Sequence, residues 1–513
     1  MIHHFLENSA DRYPDKEAVV HGNNRYSYIE IENQSNRLAN WLIDIGISKG
    51  DRVAILLRNS FEYIITYYAI LKTGAIAVPL NTGLDVKEVS QTLEDCSPEI
   101  LVSEKYFNKI IQNIFKHDSN LCKLLSISDV LETKEDIGKT EVMLFSDIFK
   151  KYSTKRPHIK LIDLDIASII YTSGSTGKPK GVVLSHLNIV TNTRSIVEYL
   201  KLEKHDRCMA ILPFYYVYGK TLLNIHFSVS GTVVIDNRFT FPNAVLKTMI
   251  EEKVTGFSGV PSTFSILMNR SSIGKMEFPD LRYIAQAGGH MPGEIKERLI
   301  NKFSNKEIYI MYGATEASAR LAYLKPEMLS KKLNSFGKAI PNVEMKIITQ
   351  KGNDAGVNKE GEIVARGSNI MNNYWNAPEE TKKVLKNGWY YTGDLGIMDE
   401  EGYFFVTGRK RDMIKVGIYK VSANEIEETL YKYPGVTEAA VIGIPDDNLG
   451  EAVQAYIVTS EDVNITSDDI INYCSENLSS HKIPKQIEFI KALPKNESGK
   501  ILKRELSKNN FYN

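Results

Sequence analysis

The sequence is poor in cysteine. Cys96, Cys122, Cys208 and Cys474 are the only four in 513 residues, far apart and with no CxxC pair. That excludes a disulfide scaffold and a zinc site, and free buried thiols in a reducing cytosol are expected. Neither sign of charge is in surplus. Lys+Arg and Asp+Glu number 63 each, so the basic excess of a nucleic-acid binder is missing. Long hydrophobic runs are also absent. The most apolar stretch, residues 63–80, is interrupted by Lys72, Thr73 and Gly74 and is too punctuated to span a bilayer. The opening MIHHFLENSADRYPDKEAVV is broken by charges and Pro14 and has no apolar core of signal-peptide length, so a cytoplasmic location is expected. What remains is 43% hydrophobic and 25% charged, the composition of a soluble globular chain. At ~150 residues per domain, the length suits about two to four domains.

Ser27 and Glu30 form an S-x-x-E capping box before a helix whose apolar positions are Ile31, Leu38, Trp41, Leu42 and Ile45, with Gly46 placed to close it. A strand over 53–57, a helix from about 61 to 72 stopped by Gly74, and a strand over 75–78 follow. Such a β-α-β unit with short connections implies parallel strands and a right-handed crossover. The alternation recurs around Ile284 and Ile308, which predicts a doubly wound α/β region with ligands beyond the carboxyl ends of strands. After about residue 335 glycines punctuate short strands in GKAIPNVEMKII, GEIVARG and GYFFVTG, predicting an antiparallel barrel or sheet. Beyond GRKRDMIK (408–415), Ser422 and Glu425 make a second capping-box pattern. A compact α+β pattern follows, with strands near 439–444 and 455–458 and a helix near 469–478. A domain boundary is expected near Arg411.

The strongest local signal is YTSGSTGKPKG (171–181), which follows the apolar strand 166–170. Glycines and small hydroxyl residues leave backbone N–H groups free to converge on phosphate oxygens. Thr172, Ser173, Ser175 and Thr176 add hydroxyl donors around Gly174 and Gly177, and Lys178 and Lys180 add charge. A Walker P-loop needs four residues between its glycines and a hydroxyl residue after the lysine. Here only two residues separate the glycines and Pro179 follows Lys178, so that assignment fails on spacing.

With this loop as its strongest motif, the sequence resembles the AMP-forming adenylating superfamily of acyl-CoA synthetases, adenylation domains and firefly-type luciferases. The likeness is nearest to an acyl-CoA ligase and runs from KGDRVAILLRN (49–59) to PKNESGKILKREL (494–506). The resemblance implies an α/β chain with a large N-terminal AMP-binding domain (1–410) of doubly wound mixed sheets plus a β-barrel-like part. A small mobile α+β C-terminal lid (411–513) completes it, with Arg411 at the hinge. It further implies that loop 172–180 holds the β- and γ-phosphates of ATP. Gly288 and Gly289 lie against adenine, and in YGATE Tyr312 stacks on the base, Gly313 makes the turn, Thr315 binds the α-phosphate and Glu316 holds Mg²⁺. Asp394 in YTGDLG accepts from both ribose hydroxyls, and Arg409 faces the ribose. Lys500 in SGK bridges the substrate carboxylate and the α-phosphate, while Lys415 belongs to the thioester-forming geometry. Pocket positions are Tyr216, Tyr218, Ser258, Gly259, Val260, Ala287 and the 288–292 loop. Read without the resemblance, GRKRDMIK is a basic patch and Asp394 a turn cap.

The implied reaction uses a small-molecule carboxylic acid, ATP with Mg²⁺, and CoA. The alternative is a stand-alone enzyme loading an acyl or peptidyl carrier protein; a non-catalytic nucleotide sensor is the third reading. The retained Glu316, Asp394, Arg409 and Lys500 speak against the sensor. Two positions depart from many relatives: Tyr216 stands where histidine is common, and Ile418 where glycine is common. PFYYVYG (213–219) lacks the aspartate of amino-acid activators, which favours an aliphatic or aryl acid.

Overall fold

A computed structural model describes residues 1–117, 123–126, 142–172, 179–289, 291–410, 412–417, 419–446, 449–460, 463, 465–495 and 501–508. Ser173, Gly174, Ser175, Thr176, Gly177, Lys178, Arg411, Ile418 and Lys500 lie outside the described residues, as does Cys122. The other three cysteines are buried and form no disulfide among the described residues.

Among the described residues the strands form four sheets. The nine-stranded sheet has a parallel centre of Glu307–Tyr312, Tyr283–Gln286, Gly256–Gly259, Arg207–Ala210, Thr232–Ile235 and Glu17–His21, with antiparallel strands at both edges. The eight-stranded sheet is built around the parallel neighbours Ile76–Pro79, Arg52–Leu56 and Ile100–Ser103, and carries Ile166–Thr172 and Lys180–Ser185 as an antiparallel hairpin. The glycine-punctuated stretch forms a five-stranded antiparallel sheet that includes Val343–Ile348, Gly361–Gly367, Trp389–Met398 and Phe404–Arg409. The last sheet pairs Val436–Asp446 with Gly450–Thr459 and has a core of its own around Val421, Ile426, Leu430, Val441 and Ile457. The chain is thus α/β, with a large N-terminal part of mixed sheets and a smaller C-terminal part.

Helix Phe61–Thr73 shows why the large part is two-layered. Every residue in it except Glu62 is buried. A helix apolar on all sides has no solvent face and must lie inside. Fully burying each large aliphatic side chain contributes roughly 1.5–3 kcal/mol. Ser60 caps its start, its hydroxyl accepting from the Tyr63 N–H at 3.1 Å. Gly74 ends it at φ +79°, where a Cβ would lie 2.6 Å from Leu161. Lys72, the one buried charge of the last turn, is held by Glu7 at 2.8 Å and Glu32 at 2.9 Å.

The capping box at Ser27 and Glu30 forms as expected. The one at Ser422 does not. The Ser422 hydroxyl donates instead to the Thr407 carbonyl at 2.7 Å, and Glu425 pairs with Lys482 at 2.6 Å. Tertiary partners at both positions outcompete the local cap. No helix among the described residues is long and apolar enough to cross a membrane.

Candidate active site

The site residues cluster where parallel strands end. Gly259, Gln286 and Ile310 are in register on neighbouring strands, so Val260, Ala287 and Tyr312 emerge from one edge of the sheet. Ligands of open α/β sheets bind at this carboxyl edge. The Ala287 N–H donates to the Gly259 carbonyl at 3.3 Å. Gly288 takes φ +90°, and the Gln286 amide donates to the Gly289 carbonyl at 2.9 Å, fixing the turn.

After Tyr312 the backbone doubles back on itself. A Cβ at Gly313 would sit 1.9 Å from the Ala319 carbonyl oxygen, so only glycine fits. Ser318 and Ala319 both take positive φ, +53° and +104°, and Leu321 N–H returns to the Tyr312 carbonyl at 2.9 Å. Such backbone conformations cost about 1–3 kcal/mol each and persist where the surroundings impose them. They hold Thr315 and Glu316 in a one-turn 3₁₀ segment, Thr315–Ala317.

Asp394 enters from the antiparallel sheet. It lies opposite Arg409 in the register of Trp389–Met398 with Phe404–Arg409. Arg409 Nε approaches its Oδ1 at 2.8 Å, and the Tyr312 hydroxyl donates to its Oδ2 at 2.6 Å. Burial, reinforced by the Asp394 charge, pushes the Tyr312 phenol well above its ordinary value, so the phenol stays a neutral donor. The Asp394 charge likewise raises the Arg409 guanidinium. Each carboxylate oxygen keeps a further lone pair after these contacts.

Glu316 accepts a hydrogen bond from the Tyr374 hydroxyl at 2.7 Å, while its carbonyl receives the Met371 N–H at 2.8 Å. Tyr374 reaches it from the short strand Asn373–Tyr374, which pairs antiparallel with Lys180–Ser185. Lys180 Nζ lies 5.5 Å above the Tyr374 ring and is bonded to Glu380. Hydrogen bonds from Lys180, then Lys383, hold the Glu380 carboxyl down at about 2. Lys180 and Glu316 therefore share one tyrosine. Thr172 closes its strand with its hydroxyl 3.5 Å from the Lys180 carbonyl. Tyr374 and Glu380 escaped the sequence reading: NNYWNAPEE reads as a polar connection, and its pairing partner lies about 190 positions upstream. The adjacent Tyr374-Trp375 pair in that polar stretch was the available signal.

Of the pocket positions that the resemblance implies, Tyr216 is half-buried at the start of helix Val217–Ser228. Tyr218 is buried and its hydroxyl donates to the Ala285 carbonyl at 3.0 Å, against the strand that leads to Ala287. Val260 and Ala287 are buried beside it, and Gly219 sits where a Cβ would meet the Pro213 carbonyl at 2.1 Å. Lys415 is not drawn into this cluster. It is exposed on the C-terminal sheet, its N–H bonded to Glu451 at 2.6 Å.

Residues 6–375 match the AMP-binding enzyme family, and residues 425–500 match the AMP-binding enzyme C-terminal domain. The chain belongs to the AMP-binding enzyme family, and its relatives are acid–CoA ligases. The long-chain-fatty-acid–CoA ligase of Bacillus subtilis is 31% identical over 523 residues, covering 98% of this chain and 93% of the relative. Among solved structures, an anthranilate CoA ligase in complex with anthranoyl-AMP superposes with a TM-score of 0.91 at 26% identity, covering 99% of this chain and 96% of that one. The o-succinylbenzoate CoA synthetase of Bacillus subtilis in complex with its acyl-adenylate gives 0.85 at 28% identity, covering 98% and 97%.

Proposed function

We propose that this protein is an AMP-forming acid–CoA ligase. A carboxylate oxygen attacks the α-phosphorus of ATP, the bond to the β-phosphate breaks, and pyrophosphate leaves an acyl-adenylate. The CoA thiolate then attacks the acyl carbon and AMP departs with the bonding pair. The observation that carries this reading is the convergence of Tyr312, Asp394 and Arg409 beside Thr315 and Glu316 at one sheet edge.

Asp394 uses its remaining lone pairs for the ribose hydroxyls, and Arg409 orients that carboxylate. Tyr312, restrained by Asp394 and by the Phe336 ring at 4.3 Å, offers its face to adenine beside Gly288 and Gly289. Thr315 donates to the α-phosphate. Glu316 supplies the hard oxygen donor that Mg²⁺ prefers, and the metal neutralises phosphate charge when bound. Tyr374 holds the Glu316 carboxylate in place. Lys180 and the loop ahead of it donate to the departing pyrophosphate, where charge builds in the transition state. Lys500 is assigned to the carboxylate and α-phosphate of the first step. Residues 411–513 form a lid that turns about Arg411 and brings Lys415 in for the second. Tyr216, Tyr218, Gly259, Val260 and Ala287 shape the acid pocket. Transfer to a carrier protein is the second reading, kept by the Ile418 departure.

The test is pyrophosphate release over a panel of carboxylic acids with Mg·ATP, with and without CoA. Sustained acid-dependent release that requires CoA supports the ligase; one burst unaffected by CoA points to a carrier-protein acceptor. Lys500→Ala should reduce adenylation by at least about 100-fold while sparing thioester formation from supplied acyl-adenylate. Equal loss of both steps rules out its assigned role.

A further inference from the structure

Arg320 is the one buried arginine among the described residues, at 3% exposure. Other arginines of the N-terminal part pair with carboxylates: Arg207 with Glu17 and Glu252, Arg282 with Asp206 and Glu307, Arg409 with Asp394. Arg320 has no carboxylate partner among the described residues. Its guanidinium lies 4.0 Å over the Tyr218 ring, its Nε approaches the Met311 sulfur at 3.3 Å, and its Nη1 donates to the Ala319 carbonyl at 3.1 Å. Its other polar partners are the neutral Tyr199 and Tyr218 hydroxyls, so the guanidinium, withdrawn from water, meets no countercharge among the described residues.

The surrounding chain is built to keep it there. The Arg320 carbonyl accepts from two buried asparagine amides, Asn192 at 2.9 Å and Asn369 at 2.8 Å. The positive-φ pair Ser318 and Ala319 turns the chain into this position directly after Glu316. On its far side Tyr218 bonds to Ala285, in the strand that ends beside Ala287 and Gly259. The guanidinium thus lies one aromatic ring from the acid pocket and four residues from the metal-side carboxylate.

We propose that Arg320 selects the substrate: the acid activated here carries a second anionic group, a dicarboxylic acid in the simplest case, whose far carboxylate completes the guanidinium fork. This deepens the ligase reading and rests on it. A buried group built to bond a substrate polar group discriminates strongly against the analogue lacking it, because that group is then left unpaired. The planar fork suits a carboxylate in two-point contact, which lysine does not reproduce.

The experiment compares short chain-matched pairs of monocarboxylic and dicarboxylic acids, measuring pyrophosphate release and CoA thioester with wild type, Arg320→Met and Arg320→Lys. Wild type should favour the dicarboxylic member by at least about 100-fold in kcat/KM. Arg320→Met should reverse that preference, and Arg320→Lys should keep its sign while losing about tenfold. Wild type preferring the monocarboxylic acid overturns the proposal and leaves the ligase reading standing, as does an Arg320→Met ratio unchanged from wild type. No release with any acid overturns the ligase reading and this proposal with it. The wild-type preference alone decides the matter if a variant fails to fold.

Discussion

The two sides of the cleft treat charge differently. On the proposed nucleotide side Asp394 has Arg409 and Tyr312, Glu316 has Tyr374, and Lys180 has Glu380. On the proposed acyl side two buried basic residues, Arg320 and Lys220, have no carboxylate partner among the described residues. Lys220 lies one turn past Tyr216, and its amine lies over the faces of Tyr67 at 4.3 Å and Tyr63 at 5.2 Å with no hydrogen-bond partner among the described residues. On our proposal the contrast separates a preorganised machine from a site whose selectivity is set by a buried charge that only the right acid neutralises. Transition-state stabilisation needs donors and charges already fixed. Discrimination among acids needs groups that only the right acid can satisfy.

The largest effect is expected on the paired side. Asp394→Ala removes the acceptor of both Tyr312 and Arg409. It should lower kcat/KM for ATP by at least about 100-fold, measured by pyrophosphate release. Arg409 is partly exposed, so the accompanying stability loss should stay within about 1–3 kcal/mol by thermal unfolding. An ATP dependence close to wild type would dissolve the claim that this network is the nucleotide cradle.

Tyr374→Phe is the finer cut. It deletes the hydroxyl that bonds Glu316 and keeps the ring beneath Lys180. The Mg²⁺ concentration for half-maximal activity should rise about tenfold, the scale of losing an outer partner of a metal ligand. An unchanged Mg²⁺ titration would mean that Tyr374 orients nothing.

The smallest effect lies on the unpaired side. Burial pushes the Lys220 amine well below its ordinary 10.5. A lysine depressed in the folded state binds fewer protons than the unfolded chain, so folding carries a penalty at neutral pH that fades as pH rises toward 10.5. Lys220→Met should therefore stabilise the protein by about 1–2 kcal/mol near neutral pH, less near pH 10. Destabilisation would show instead that the two tyrosine faces hold a charged amine well.

Much of this was legible in the sequence. The strand before YTSGSTG, the YGATE and YTGDLG segments, the β-α-β unit and the Ser27 cap all depend on neighbours within a few residues. What escaped depends on distant chain. The Ser422 hydroxyl makes no cap and donates to Thr407, a partner fifteen residues upstream in another strand. Tyr374 reaches Glu316 only through a strand pairing with residues near 182. Arg320, in ASARLAYL, reads as an ordinary arginine until two asparagines and Tyr218 enclose it.

The most direct measurement is mass-spectrometric product analysis of one turnover-competent mixture of acid, Mg·ATP and CoA. The account predicts AMP, pyrophosphate and an acyl-CoA thioester in equal amounts, with acyl-adenylate accumulating when CoA is withheld. ADP and phosphate in place of AMP and pyrophosphate, or AMP with no thioester while CoA is present, would contradict it.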